Sequence, residues 1–369
     1  MSTPPPRRIT QKDVAREAGV SHVTVSLALR KRREIPLATR KKIEAIAKRL
    51  GYSPDPMLGA LTAYRQSCLP AAFHSTLGWI NNHPQPEELY RGEDFRLYFE
   101  GASERARELG YGLEKVNLVE YQYNRKLVQR MLTARGIRSL LIAPLHNHRE
   151  HVDLDWSRYS AVRLGYSMVD TVLHTVTNSQ FRTSFSAVEN LVHLGYRRIG
   201  FAMDSDYNTR TGGHFLGGYL SAGAHFELED VSVLNMPPYT PGESDVPYWG
   251  VARPWIKKDK LEAIIAGSEY ILPHLKRWGY KVPHDIALVS LAVAEASDTI
   301  SGIHQNTRNV GRTAVDLLVS LFNKQETGVP VTPMHTLVEG RWTEGHTTRN
   351  MAVSAGHTLR KPVNKKQRI

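Results

Sequence analysis

Thr10-Gln11-Lys12-Asp13-Val14-Ala15-Arg16-Glu17-Ala18-Gly19-Val20-Ser21-His22-Val23-Thr24-Val25-Ser26-Leu27-Ala28-Leu29-Arg30 decides how this chain is read. Thr10 followed three residues later by Asp13 fits a capping box, in which side chains and backbone at a helix start satisfy orphan groups, so a helix is expected there. Val14, Ala15 and Ala18 give that helix an apolar side. Gly19 stands where a tight turn needs positive φ, and Ser21 is a good N-cap for a second helix running to about Arg30. Two short helices around a Gly-containing turn form the supersecondary unit that sets its second helix into a DNA groove.

At helical period the second helix divides into a face of Val25, Ala28 and Leu29 and a face of His22, Val23, Ser26, Leu27 and Arg30. The first face can pack. The second carries Val23 and Leu27, which suit thymine methyl groups in a major groove, with Arg30 able to reach a phosphate or a guanine edge. A third helix, about Leu37 to Leu50, supplies the packing partner through Ile43, Ile46, Ala47 and Leu50 at i, i+3, i+4 and i+7.

Working outward, the chain has 369 residues, 41% hydrophobic and 23% charged, enough for two or three compact units of an ordinary globular protein. Its net charge of +12 is unevenly placed: residues 1–55 hold 13 Lys or Arg against 5 Asp or Glu, and residues 349–369 hold 6 against none. The middle is therefore slightly acidic, and the basicity sits where phosphate neutralisation requires it. Cys68 is the single cysteine, which excludes an intrachain disulfide framework and a Cys-rich zinc site and fits a reducing cytoplasm. Met1 to Arg8 lacks the apolar run of a secretory signal, and no stretch is long and apolar enough to span a bilayer.

Asp13-Val14-Ala15, Ala18-Gly19-Val20-Ser21, Thr24-Val25-Ser26, Thr39-Arg40 and Gly51-Tyr52-Ser53-Pro54 stand in the order and spacing of the LacI/GalR family of bacterial repressors, which the chain resembles. The resemblance implies base reading by His22, Val23 and Leu27, where Leu27 replaces the family's frequent Arg. Thr10, Ser21, Ser26, Arg30 and Thr39 complete the expected DNA-facing set. Asp55 to Tyr64, with Pro56 at a first-turn position, resembles the family's hinge helix, and the register gives Leu61 the role of a wedge between base pairs in the minor groove.

From Ser75 to about Arg349, short apolar runs alternate with amphipathic ones, the pattern of α/β layers with largely parallel strands. Strands are predicted at Leu77–Asn81, Ser139–Ala143, Ala161–Gly165, Ile199–Met203, Ala263–Ala266 and Ile286–Leu291. Helices are predicted at Phe95–Leu109, Lys126–Ala134, Phe181–Leu194, Tyr270–Trp278 and Val310–Phe322. Gly110-Tyr111, Gly136-Ile137-Arg138, Gly195-Tyr196-Arg197 and Gly279-Tyr280-Lys281 repeat a helix-closing junction before a strand. The fold class expected is an all-α helix-turn-helix headpiece plus an α/β periplasmic-binding-protein-like core of two subdomains with parallel sheets. Its divisions are a disordered tail at 1–8, a headpiece at 9–55, a hinge helix and linker at 56–70, a core at 75–349 and a basic tail at 350–369. The resemblance also implies three chain crossings between the core's halves, placed near Val172 to Ser179, Ile300 to Gln305 and Thr332 to Thr336.

Ligands of such sheets bind at the carboxyl ends of strands. That rule nominates Asn82, His146, His148, Tyr166, Asp204, Arg210, Ser268 and Glu269, and Trp255 is added as a ring that could stack on a sugar. Where the family usually places a Gly and acids after Leu291, this chain has Ala292-Val293-Ala294. His146-Asn147-His148-Arg149-Glu150-His151 lacks metalloprotease spacing, so neither a metal nor a cofactor is expected. The expected protein is no enzyme but a cytoplasmic regulator, a homodimer on a double-stranded, pseudo-palindromic operator, gated by a small-molecule effector such as a sugar or sugar derivative. A sugar-binding module without DNA function and an enzyme of unknown activity remain the alternatives.

Overall fold

The computed structural model describes residues 9–29, 35–52, 75–85, 93–145, 151–169, 171–228, 230–237, 249–267, 269–295 and 297–351. The chain divides into two compact units, Met1–Ala72 and Phe73–Ile369.

In the first unit, α1 (Gln11–Ala18), α2 (His22–Leu29) and α3 (Leu37–Arg49) enclose a small core. Val14, Val25, Ala28 and Ile43 are each 0% exposed. Ala15, Ala18 and Ala47 complete the centre, and Ile9, Val20, Leu29, Ile35, Ile46, Leu50 and Tyr52 pack around it. Burying a Val or Ile fully contributes roughly 1.5–3 kcal/mol, so these few residues hold the three helices together. At the start of α1 the Asp13 carboxylate accepts the Thr10 N–H at 2.9 Å and the Thr10 hydroxyl at 2.7 Å. Ser21 caps α2 as expected, its Oγ accepting the Thr24 N–H at 3.0 Å.

The second unit contains two six-stranded sheets. Lobe 1 joins β1 (Ser75–Asn81), β2 (Tyr111–Asn117), β3 (Ser139–Ile142), β4 (Ser160–Leu164), β5 (His174–Asn178) and β11 (His335–Val338), all parallel, in the order β2-β1-β3-β4-β5-β11. Lobe 2 joins β6 (Ile199–Asp204), β7 (Ser232–Met236), β8 (Ala263–Ala266), β9 (Ala287–Ser290), β10 (Gly302–His304) and β12 (Arg341–Thr343) in the order β7-β6-β8-β9-β10-β12, with only β12 antiparallel to its neighbour. The two sheets therefore share one winding, with a switch point between β1 and β3 and another between β6 and β8.

Strand alternation sets the layers. In β8, Ala263 and Ile265 face α6 (Gln180–His193) and α8 (His214–His225), whereas Ile264 and Ala266 face α9 (Ala252–Lys258) and α10 (Leu272–Arg277). In lobe 1, Leu77, Trp79 and Leu141 face α4 (Glu93–Glu108) and α11 (Thr307–Lys324), while Ile80, Leu140 and Ile142 face α5 (Arg125–Ala134). The predicted junctions close their helices: Gly136, Gly195 and Gly279 adopt φ of 65°, 94° and 90°. The next N–H then returns from Ile137 to Leu132 O, from Tyr196 to Leu191 O and from Tyr280 to Leu275 O. Two helices pack unusually close. An added Cβ on Gly101 of α4 would lie 2.0 Å from Arg308 O, and one on Gly311 of α11 would lie 2.1 Å from Tyr98 O.

Several elements differ from expectation. The predicted helix Tyr270–Trp278 is a 3-10 turn at Glu269–Ile271 followed by α10, because Pro273 cannot continue the hydrogen-bond ladder backward. Helices α7 (Ser205–Arg210), α8 and α9 were not expected from the sequence. The crossings lie between Asn178 and Gln180, at Gln305–Asn306, and at Glu339–Gly340, the third several residues beyond its expected place. No described helix is long and apolar enough to cross a membrane.

Candidate functional site

On α2 the division into faces is borne out by burial. Val25 and Ala28 are 0% exposed, whereas Val23 is 62% exposed, and His22 is exposed beside it. Ser26 and Leu27 are partly buried, so Leu27 presents only part of its side chain outward. Thr10 is exposed at the start of α1 and Thr39 partly buried in the first turn of α3. Arg30, Leu61 and the expected hinge helix lie outside the described residues.

In the second unit, the strand ends of both lobes converge where the chain crosses. Asn82, beyond β1, is 1% exposed, and its carbonyl accepts the Tyr123 hydroxyl at 3.3 Å. Beyond β4, the ring of Tyr166 meets His214 of lobe 2 edge-on at 5.5 Å between centroids and lies 5.8 Å from His335. Arg210, at the end of α7, donates across the lobes to Leu145 O at 3.4 Å. Asp204 caps α7 by accepting the Tyr207 N–H at 2.9 Å. A further bridge runs from the Glu295 N–H in lobe 2 to the Glu93 carboxylate in lobe 1 at 3.3 Å.

A constellation that the strand-end rule passed over lies among these groups. Asp94, in the first turn of α4, is open to solvent, yet protein crowds it enough for burial to raise its carboxyl above the usual range. Thr307 Oγ1 donates to it at 3.1 Å. The charges of Glu93 and Glu269 push the same way as burial, and that of His304 opposes them. One turn along, burial drives the Tyr98 phenol far up, with Asp94 adding to the rise and Arg210 opposing it. Tyr207, 41% exposed, is likewise raised by crowding and by Asp94. These interactions join Asp94, Tyr98 and Thr307 from lobe 1 with Tyr207, Arg210, His304 and Glu269 from lobe 2 around one polar recess, in which Asp94 and Tyr207 are exposed and Thr307 and His304 are buried. At neutral pH its phenols are intact donors, and Arg210 supplies a fixed cation.

Of the nominated residues, Tyr166, Arg210 and Glu269 are at the junction of the lobes, Asn82 is buried beneath it, and the Asp204 carboxylate is engaged in capping. Trp255 is a correction. It lies in α9, 9% exposed, within the apolar layer under the lobe 2 sheet, and its indole N–H donates to Ser232 Oγ at 2.7 Å. A large ring on the same side as Ile256, Leu261 and Ile264 is worth more packed than solvated, so it cannot stack on a ligand. His146, His148 and Ser268 lie outside the described residues. After β9, Val293 is 5% exposed and packs against Gly302, so the one large side chain of the Ala292-Val293-Ala294 turn is directed into the protein. Among the described residues no group of three or more His, Cys, Asp and Glu side chains is placed to hold a metal ion.

A small helical unit with an unpartnered recognition face, followed by two doubly wound lobes with a shared recess, defines a DNA-reading regulator with a ligand-binding type of core. Known proteins agree. Residues 10–55 match the model of bacterial regulatory proteins of the lacI family, and residues 188–348 match that of a periplasmic binding protein-like domain. The HTH-type transcriptional repressor PurR of Erwinia tasmaniensis is 24% identical over 346 residues, covering 90% of this chain and 96% of PurR. The same fold is seen in the transcriptional regulator CelR in complex with cellobiose, at a TM-score of 0.55 and 19% identity over 92% of this chain and 100% of that one. The lac repressor dimer bound to operator and the anti-inducer ONPF gives 0.54 and 18% over 93% and 100%. The chain thus carries the DNA-binding domain of the lacI family of bacterial regulatory proteins followed by a periplasmic binding protein-like domain, and the relatives it matches along most of its length are transcriptional regulators.

Proposed function

We propose that this protein is a cytoplasmic repressor that binds a pseudo-palindromic operator as a homodimer and releases or grips it according to a small effector, a sugar or sugar derivative, in the interlobe recess. The observation that carries the reading is the recess itself, whose polar side chains come from both lobes and which is bridged, among the described residues, by Arg210 to Leu145 O and by the Glu295 N–H to Glu93. A ligand touching Asp94 and Tyr98 on one side and Tyr207 and Arg210 on the other binds best at one interlobe angle, and its differential affinity shifts the population toward that angle. His22, Val23 and Leu27 are the proposed base readers, with Thr10, Ser21, Ser26, Arg30 and Thr39 positioning the helix pair and Leu61 wedging the operator centre. The repressor PurR among the relatives supports the sign of regulation, and the cellobiose bound to CelR supports a carbohydrate-sized ligand.

The test is selection of DNA from a random pool by the full chain, then titration of the selected site and of random DNA across salt. Two half-sites about one helical turn apart, bound far more tightly than random sequence and lost steeply with salt, are expected. Equal affinity for selected and random DNA at every salt concentration refutes specific regulation.

A further inference from the structure

Arg163, the residue before the last of β4, is 7% exposed. Neutral acceptors hold its guanidinium: Nε donates to Thr175 Oγ1 at 2.8 Å and Nη1 to the Met168 carbonyl, while Cζ lies 6.0 Å from the centroid of the Tyr166 ring. Among the described residues no carboxylate pairs with it, and Nη2 makes no hydrogen bond there. A buried cation without a counter-charge is costly. Burial draws this guanidinium below its usual range, with Tyr166 opposing, yet arginine does not give up its proton inside proteins, so the charge is relieved by an anion brought in from outside.

A second cation reaches the same strand ends from the other lobe. The half-buried Arg210 donates to Leu145 O at 3.4 Å, the Leu145 N–H donates to Ser167 Oγ at 2.8 Å, and Ser167 adjoins Tyr166. Arg210 also has no acid partner among the described residues. The Tyr166 ring in turn meets His214 of α8 and His335 of β11, at 5.5 and 5.8 Å. Two arginines and two imidazoles are thereby gathered about the Tyr166-Ser167 turn, at the carboxyl ends of β3 and β4. The residues that directly follow β1, β3, β4 and β5 in the chain, Asn82, Ala143, Gly165 and Ser179, include no acid.

Resting on the proposed role of the recess, we infer that the effector is an acid sugar, a sugar-sized ring bearing one carboxylate or phosphate, with that group seated at the Tyr166-Ser167 turn and held by Arg163 from lobe 1 and Arg210 from lobe 2. The planar guanidinium fork matches the oxygens of either anion in a bidentate way, which a point charge does not. Strand carboxyl ends are where ligands of such sheets bind, so the acid group and the ring share one place. Because the two arginines belong to different lobes, an anion that touches both binds best at one interlobe angle, which is the differential affinity that gating requires. Asp94 is an acceptor for ring hydroxyls and disfavours a second acid group on the same ring.

The experiment is a thermal-shift and calorimetric screen of the full-length protein against matched ring compounds: glucuronate and galacturonate, glucose 6-phosphate and galactose 6-phosphate, the neutral parent sugars, and glucosamine. The strongest hits are expected among the acids, and the carboxylate and phosphate arms tell the two forms of the anion apart. Arg163→Met and Arg210→Met should each weaken the acid by roughly 10- to 100-fold, the scale of removing one charged hydrogen-bond partner, and leave the neutral parent as it was. A guanidinium that merely tied the loop after β4 would weaken acid and neutral sugar alike, so the ratio of the two affinities is the readout. If Arg163→Met fails to fold, Arg163→Lys, which keeps the charge and loses the fork, and the half-buried Arg210→Met decide the matter through the same ratio. Hits without acids among them, or an acid preference that the folded variants leave unchanged, overturn the inference. If a neutral or amine hit changes operator affinity, the recess keeps its effector role and only the acid assignment falls. If no compound of any class binds or changes operator affinity, both fall.

Discussion

Replacing Gly311 by Ala adds one methyl group where backbone already stands. The new Cβ would lie 2.1 Å from Tyr98 O and 2.9 Å from the Ala102 N, whereas real contacts essentially never fall under 3.0 Å, so α4 and α11 must part by about 1 Å. Neither neighbour is a flexible side chain that can swing aside. Overpacking of this kind costs about 3 kcal/mol at the upper end of its usual range. Ala returns about 1 kcal/mol through helix propensity, leaving a net loss of about 2 kcal/mol. For a unit of this size that lowers the melting transition of the core by about 4–8 °C, readable by circular dichroism. Gly101→Ala, facing Arg308 O at 2.0 Å, should behave alike. Gly217→Ala in α8 is the control: its Cβ would meet only Phe181 Cδ2, at 3.9 Å, so propensity acts unopposed and the transition should rise by about 2–4 °C. If Gly311→Ala melted at or above the unmodified protein, the close helix crossing would not be the constraint described.

Three further outcomes are expected. Asp13→Ala removes both bonds from Thr10 at the start of α1 and should cost the headpiece about 1 kcal/mol; unchanged melting of an isolated-headpiece signal would contradict the capping role. Val23→Ala, at a 62% exposed position, should leave stability within about 0.5 kcal/mol yet weaken the selected operator roughly tenfold more than random DNA; parallel losses on both would remove Val23 from the base readers. Asp94→Asn tests the sign of its titration. A carboxyl raised by folding is bound to its proton more tightly in the native state, so the native state loses stability as pH rises from the unfolded pKa through the raised one. The variant should therefore melt higher than the unmodified protein at pH 7 and equally at pH 4, and a difference of the opposite sign would show that the acid is not burdened by its surroundings.

The strands legible in the sequence were six of the eight interior ones. β1, β3, β4, β6, β8 and β9 are interior strands of their sheets, and burial on both sides demands an apolar run. Of the six missed strands, β2, β7, β11 and β12 are the edges, where half of each strand meets solvent and the run dissolves, as in the alternating Tyr111-Gly112-Leu113-Glu114-Lys115 and the half-exposed His335–Val338; the interior β5 and β10 were read only as chain crossings, because His174-Thr175-Val176-Thr177-Asn178 is polar though buried and β10 is three residues long. Helix α8 was hidden by Gly217, Gly218 and Gly223, residues poor in helix propensity. Packing overrode propensity there, since a Cβ on Gly218 would lie 2.1 Å from Phe181 O and glycine alone permits the approach to α6.

The sequence by itself determined the headpiece, because capping, turn and recognition residues are all local and a few consecutive positions carry their chemistry. It also determined the α/β character of the core through period and junction glycines. Only the tertiary structure decided that Trp255 belongs to a buried layer and that Asp94, one of several acids on α4, meets the Thr307 hydroxyl. Asp94 and Thr307 are far apart in sequence, as are Asp94 and Tyr207, and no local pattern records which side chains two lobes will turn toward one another. Burial and electrostatic partners are properties of that juxtaposition, and they came into being only when the chain crossed three times between its sheets.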